Sequence, residues 1–232
     1  MKKLLLFCAL ILSSFAHSQE LQSQPKAFTA TYDAQWLPVA LKGSAVRTLK
    51  FENSGRARLR FEGKVLGTLI QEETQLHWNG CLPVPNHYLR SKSNLFKNSV
   101  IDEQVFDWTG QQVASRHKAD NTKLAITAPG YDPLSFQLAL RCDLIAGKKS
   151  FEYTVIYKQK LNLYAFKVIG TENLQTPLGL LSTIKVIRSN NRDGKQTSIW
   201  FAPQFDYALV RLEQKEVDNN HYVITLRSLQ IK

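Results

Sequence analysis

The chain has 232 residues, with 30 Lys and Arg against 19 Asp and Glu, a formal charge of +11. That length suits one all-β domain or at most two small ones, and no segment after the N-terminus is long and apolar enough to cross a membrane as a helix, so an integral membrane protein is not indicated. No phosphate-binding glycine loop, dinucleotide fingerprint, CxxC pair or closely spaced histidine pair occurs, so nothing points to a nucleotide, a redox dithiol, a metal or any other cofactor.

Lys2 and Lys3 precede the apolar run Leu4 to Leu12, and Ala16-His17-Ser18 sets small residues at the −3 and −1 positions of a cleavage site. This is the pattern of an export signal over residues 1–18, cut after Ser18, and it places the mature chain in the periplasm. Cys8 comes too early, and after the bulky Phe7, to be a lipoprotein cysteine. In that compartment a basic surface points to anionic lipid or glycan, or serves solubility, and nucleic acid is not an expected partner. Cys81 and Cys142 remain as an even pair in an oxidising environment and are expected to form a disulfide.

Residues 19–26 are polar and read as a loose segment, ahead of a single domain over 27–232. Phe28, Ala30, Tyr32, Ala34 and Trp36 alternate with polar residues as the first strand, which Pro38 ends. Ala45 to Glu52 and Arg56 to Glu62 flank Asn53-Ser54-Gly55 as a hairpin. Arg56, Arg58 and Arg60 share its polar face and are a candidate surface for an envelope protein partner. Leu66 to Trp78 reads as a strand or bent pair, and Asn79-Gly80 as a turn. Pro83 and Pro85 reduce the following segment to a short edge strand, Asn86 to Arg90. Strands follow at Val100 to Trp108, Gln111 to Lys118 and Asn121 to Thr127.

One helix interrupts them. Asp132 is its expected N-cap, Pro133 its first residue and Gly147 its stop. At 100° per residue, Leu134, Leu138, Cys142 and Ile145 form one apolar face, and Phe136, Leu140 and Leu144 a second. Two faces predict a helix packed on both sides as a plug. Gln137 and Arg141 lie between them, and a buried Arg141 requires a carboxylate or carbonyl partner. Strands resume through Phe151 to Lys158, Asn162 to Glu172, Leu180 to Ser189, Gln196 to Phe201, Tyr207 to Val217 and Tyr222 to Leu229. The whole predicts a mainly β fold: an antiparallel β-roll or spiral barrel of about a dozen strands, with one helix packed into or across it.

Chemistry is sparse. His77, His87, His117 and His221 lack metal spacing, Ser135 is not in a nucleophile elbow, and Glu72 and Glu73 point to opposite faces of a strand. Glu172 is expected to pair with Arg141 or Arg188. Trp36, Tyr131, Ser135, Arg141, Glu172 and Trp200 are the candidate ligand-lining residues, large aromatics with a few polar groups, although the same aromatics serve equally as packed core.

Several short motifs resemble the periplasmic proteins of domain-of-unknown-function family 3108. They are Phe28-Thr29-Ala30-Thr31-Tyr32, Pro85-Asn86-His87-Tyr88 and Tyr131-Asp132-Pro133-Leu134-Ser135, followed by Gly170-Thr171-Glu172, Thr176-Pro177-Leu178-Gly179 and Trp200-Phe201-Ala202-Pro203. Their order spans nearly the whole mature chain. The resemblance implies a β-roll or spiral barrel broadly similar to the Lol-type lipoprotein carriers, and it carries over no catalytic residue. The leading expectation is a non-enzymatic periplasmic protein that binds a lipid or other amphiphile in or beside the roll. The alternative is a packed module that docks an envelope protein. An enzyme is third, and would need Asp132, Glu172 and a histidine to converge.

Overall fold

The chain's first and last strands lie side by side in the middle of a single large sheet. The structure, a computed structural model, describes residues 24–37, 41–52, 54–65, 67–94, 97–127, 129–190, 194–218 and 220–232. The expected signal segment 1–18 and its cleavage site lie outside them. The first meander comprises β1 (Phe28–Leu37), β2 (Leu41–Phe51), β3 (Arg56–Val65), β4 (Thr68–Asn79), β5 (Leu82–Asn94), β6 (Lys97–Asp107), β7 (Gln112–His117) and β8 (Asp120–Ala125). Then come β9 (Gly130–Tyr131) and the helix α1 (Ser135–Ile145). The second meander is β10 (Ser150–Tyr157), β11 (Lys160–Thr176), β12 (Gly179–Arg188), β13 (Gln196–Ala202), β14 (Ala208–Lys215) and β15 (His221–Ile231), with a 3₁₀ turn at Pro203–Phe205 after β13.

The fifteen strands run in the order β8 to β1, then β15 to β9, with Phe28 opposite Ile231 where the meanders join. All neighbours are antiparallel except β9, which pairs parallel with β10 through two residues. Two residues carry no periodicity, which is why β9 leaves no trace in the sequence.

One expected strand is corrected. Asn86 to Arg90 is not a short edge strand: it is part of β5, which is 13 residues long and pairs with both β4 and β6. Its prolines are tolerated because the pairing with β6 begins only at His87, so Pro83 and Pro85 occupy a stretch with a neighbour on one side.

The sheet does not close through a hydrogen-bonded ladder; β8 and β9 are its two ends. It closes by overlapping itself. Gln104 on β6 donates from Nε2 to the Ile156 carbonyl of β10 at 2.9 Å, and Gln159 donates to the Asp120 carbonyl at 2.8 Å. Phe106, Val113 and Ile126 bury Ile156 between the layers. The result is a spiral in which β10 lies against the inner faces of β6 and β7.

The helix fills the roll, with the two apolar faces expected of it. Phe136, Leu140 and Leu144 join Phe151, Tyr153 and Phe166, while Leu134 and Leu138 join Leu49, Leu59, Leu76 and Tyr88. Each such side chain contributes about 1.5–3 kcal/mol of burial. Cys142 is bonded to Cys81, with Cα atoms 5.8 Å apart, which ties α1 to the turn between β4 and β5. Gly147 ends the helix at φ +73°, a left-handed value that glycine adopts without penalty.

Candidate functional site

α1 begins at Ser135, two residues later than the expected Pro133, and the turn that leads into it is built by Asp132. Its Oδ1 accepts from the Leu134 and Ser135 amides at 2.8 and 2.9 Å, and Ser135 Oγ accepts from the Asp132 amide at 3.0 Å. This reciprocal cap satisfies amides that the first turn leaves without intrahelical partners. The other oxygen, Oδ2, accepts from Thr74 Oγ1 of β4 at 2.7 Å. Asp132 is fully buried, and burial lifts its carboxyl above the ordinary 3.8 although every one of these bonds pulls the other way.

Beneath the cap runs a ladder of alternating charge. Glu72 on β4, Arg90 on β5, Asp102 on β6 and His117 on β7 are successive cross-strand partners and share the inner face. Arg90 reaches Glu72 at 3.3 Å and Asp102 at 3.0 Å, His117 Nδ1 bonds Asp102, and Tyr88 donates to Glu72 at 3.0 Å. Burial raises the Glu72 carboxyl against the pull of Arg90. Burial also opposes the Arg90 charge, yet Glu72 and the neighbouring phenols hold its pKa above the ordinary value. Arg90 thus sits between two carboxylates, which is the condition for keeping a cation out of water.

The other end of the helix seat is different. Gln137 and Arg141, the polar seam of α1, line a cleft with Arg47 of β2, Phe28 of β1, Phe201 of β13 and Phe205 of the 3₁₀ turn. It encloses about 30 Å³, roughly the share of one water molecule in the liquid. Arg141 has the carboxylate and carbonyl partners its burial requires: Nε donates to the Asp206 carbonyl at 2.9 Å and Nη2 pairs with the Asp206 carboxylate. Asp206 also accepts the Lys26 amide at 3.2 Å, which holds the end of the segment expected to be loose. Asp206 and Tyr207 take φ values of 56° and 53° in succession, so a strained turn aims this carboxylate at the helix.

The six candidate ligand residues do not form one site. Arg141 alone lines the cleft. Ser135 is fully buried and engaged in the cap. Tyr131 is buried edge-to-face on Tyr153, and burial pushes its phenol up to about 12. Trp36 stacks on Tyr222 and donates to Asn220 at 2.7 Å. Glu172 and Trp200 do meet: the indole N–H bonds the carboxylate, and Lys185 sits 4.7 Å over the ring and 3.6 Å from Glu172. Glu172 thus pairs with neither Arg141 nor Arg188, because the register of β11 and β12 sets it beside Lys185. Asp132, Glu172 and a histidine do not converge either. In the Arg56, Arg58, Arg60 stripe, Arg58 is paired with Glu52 at 2.8 Å and with Glu73 at 3.3 Å, and Arg60 with Glu73 at 2.5 Å.

Arg47, Asp206 and the charge ladder lie outside the residues expected from the sequence. The signal for Arg47 was available: it falls in phase with Ala45 and Leu49, the apolar side of its strand.

The sequence model for the family described as protein of unknown function (DUF3108) matches residues 27–227. No curated protein matches the chain. Among solved structures, the fold is similar to a β-barrel-like protein of domain-of-unknown-function family DUF1849 from Brucella abortus. The identity is 12%, the TM-score 0.59, and the match covers 90% of this chain and 99% of that one. A candidate lipoprotein of Parabacteroides distasonis aligns at 11% identity over 90% of this chain and 97% of that one, but with a TM-score of 0.31 it carries no argument.

Proposed function

We propose that this chain, which belongs to the DUF3108 family of proteins of unknown function, is an exported, non-enzymatic protein of the bacterial cell envelope that holds an amphiphile at the cleft beside α1. The observation that carries this reading is the cleft itself, where apolar walls from Phe28, Leu138, Phe201, Phe205 and Leu229 meet the cations Arg47 and Arg141. Pockets that combine apolar lining with a few polar groups suit ligands of mixed character. Because α1 fills the roll, the ligand enters by one end, and its remainder lies along the rim at Phe205 and Ile231. The periplasmic assignment rests on the signal pattern and accords with the disulfide.

A non-enzymatic role accords with the pairing of the buried titratable groups in the ladder, which engages them with one another. The docking alternative gains no specific support from the arginine stripe, since Arg58 and Arg60 already have carboxylate partners.

Native mass spectrometry of protein released directly from the periplasm is expected to show a one-to-one adduct, and Ala208→Trp, which fills the mouth of the cleft, is expected to remove it. Repeated recovery of bare wild-type protein would refute the reading.

A further inference from the structure

We propose that the cleft recognises an anionic head group, a carboxylate or a phosphate, and that Arg47 is the residue that selects it. The inference rests on the reading of the cleft as the binding site and names the chemical class of ligand it takes.

Arg47 is 6% exposed and lies on the inner face of β2. Its Nε has no hydrogen-bond partner, and no carboxylate is paired with it among the described residues. The guanidinium does have the Tyr32 phenol oxygen as a hydrogen-bond partner, and that hydroxyl in turn donates to the Leu209 carbonyl at 3.1 Å, but a phenol supplies no counter-charge. Phe61 stands between Arg47 and Glu72 in the same cross-strand row, so the nearest ladder carboxylate is two strands away, roughly 10 Å. Asp206 is committed to Arg141 and to the Lys26 amide.

A buried guanidinium without a counter-charge is costly. Two other cations near the helix have solved that problem: Arg90 with Glu72 and Asp102, Arg141 with Asp206. Arg47 has not, and it lines the cleft. The charged residues around that cleft are Lys26, Arg47 and Arg141 against Asp206 alone, which favours a negative ligand. A guanidinium fork matches two oxygens of a carboxylate or phosphate and is the side chain best suited to hold one in a poorly hydrated site.

The walls decide between an amphiphile and a peptide. β1 is paired on both sides, whereas β14 and β15 pair only through Arg211–Lys215 and His221–Thr225 and part where Ala208, Leu209, Leu229 and Ile231 line the cleft. The Leu209 carbonyl on that parted edge already accepts the Tyr32 hydroxyl, and the rest of the wall is apolar side chain, which suits an alkyl chain better than a peptide backbone that must share its hydrogen bonds. A single alkyl chain has no such requirement.

The test is a head-group series at constant chain length, measured by titration calorimetry on the mature protein. Decanoate and decyl phosphate are expected to bind at least about tenfold more tightly than decyltrimethylammonium and decyl maltoside, since hydrogen bonds to charged groups contribute about 1.5–3 kcal/mol. Arg47→Gln is expected to reduce that preference to within about twofold, and Arg47→Lys to keep part of it. Arg56→Gln, on the outer face, serves as a control that leaves it intact. The wild-type series decides even if an Arg47 variant folds poorly. Equal binding of all head groups overturns the anion inference and leaves the amphiphile reading standing. Acetate and inorganic phosphate binding as tightly as the decyl anions keeps the anion site and overturns the amphiphile reading. Binding of none of these probes overturns both.

Discussion

Asp132 caps a helix, accepts from Thr74 and holds its carboxyl in a place where water does not reach. Its pKa is raised above 3.8, chiefly by burial. The sign of its effect on stability follows from linkage. A raised folded-state value means that its contribution is fully present below the unfolded value and is lost as pH rises through the folded one. Asp132→Asn keeps an oxygen for the Leu134 and Ser135 amides and removes the charge. The wild type is therefore expected to gain stability relative to this variant on going from about pH 7 to about pH 3.5, in urea unfolding. A difference that does not change with pH would show that the buried carboxyl is not raised. Glu72 faces Asp132 and is raised in part by its charge, so the variant also relieves the Glu72 shift, which changes the comparison in the same direction.

At the scale of elements, α1 is held by three independent means: the Asp132 cap, two apolar faces and the bond from Cys142 to Cys81. The bridged cysteines are 61 residues apart, and closing a loop of that length removes enough unfolded-state freedom to stabilise the fold by about 4 kcal/mol on the chain-entropy model. Replacing both cysteines with alanine is expected to lower the unfolding free energy from urea titration by that amount while leaving the far-ultraviolet circular dichroism unchanged, because the apolar faces still seat the helix. Loss of the helical signal at zero urea would mean that the tether, and not the packing, places α1.

For the whole molecule, the decisive feature is the overlap of the two sheet ends. Ile156 on β10 is fully buried by Phe106, Val113 and Ile126, which come from the far end of the other meander. Ile156→Ala is expected to cost about 2–5 kcal/mol, the range for truncating a packed core side chain. Ile169→Ala, at an exposed bulge of β11, is expected to change stability by less than about 0.5 kcal/mol. Near-equal effects in thermal unfolding would show that the overlap contributes nothing and that the roll is held by its ladders alone. Overlap also hides β9 and β10 without a closed barrel, a second way to manage strand edges besides closure.

Much of this architecture is legible in the sequence, because it is written in local rules. Alternation in Phe28 to Trp36 and in Arg56 to Glu62 marks strands by period, and Asn79-Gly80 and Gly147 mark their ends by backbone conformation. Asp132-Pro133 leads into the helix, and the spacing of Leu134, Phe136, Leu138, Leu140 and Leu144 assigns it two buried faces. Each of these depends on residues a few positions apart, so a linear pattern suffices. What the tertiary structure alone decides depends on registers across distant strands. Nothing near Glu172 in sequence says that Lys185 and Trp200 will claim it, or that Asp206, 65 residues on, will claim Arg141. The burial of Arg47 shows in its phase with Ala45 and Leu49, but its lack of a carboxylate partner does not, since a partner comes from whichever strand the spiral brings opposite. The chain's periodicity determines that there is a roll with a helix inside it. The way the roll overlaps determines which charges are paired, how little space is left, and where the cleft lies.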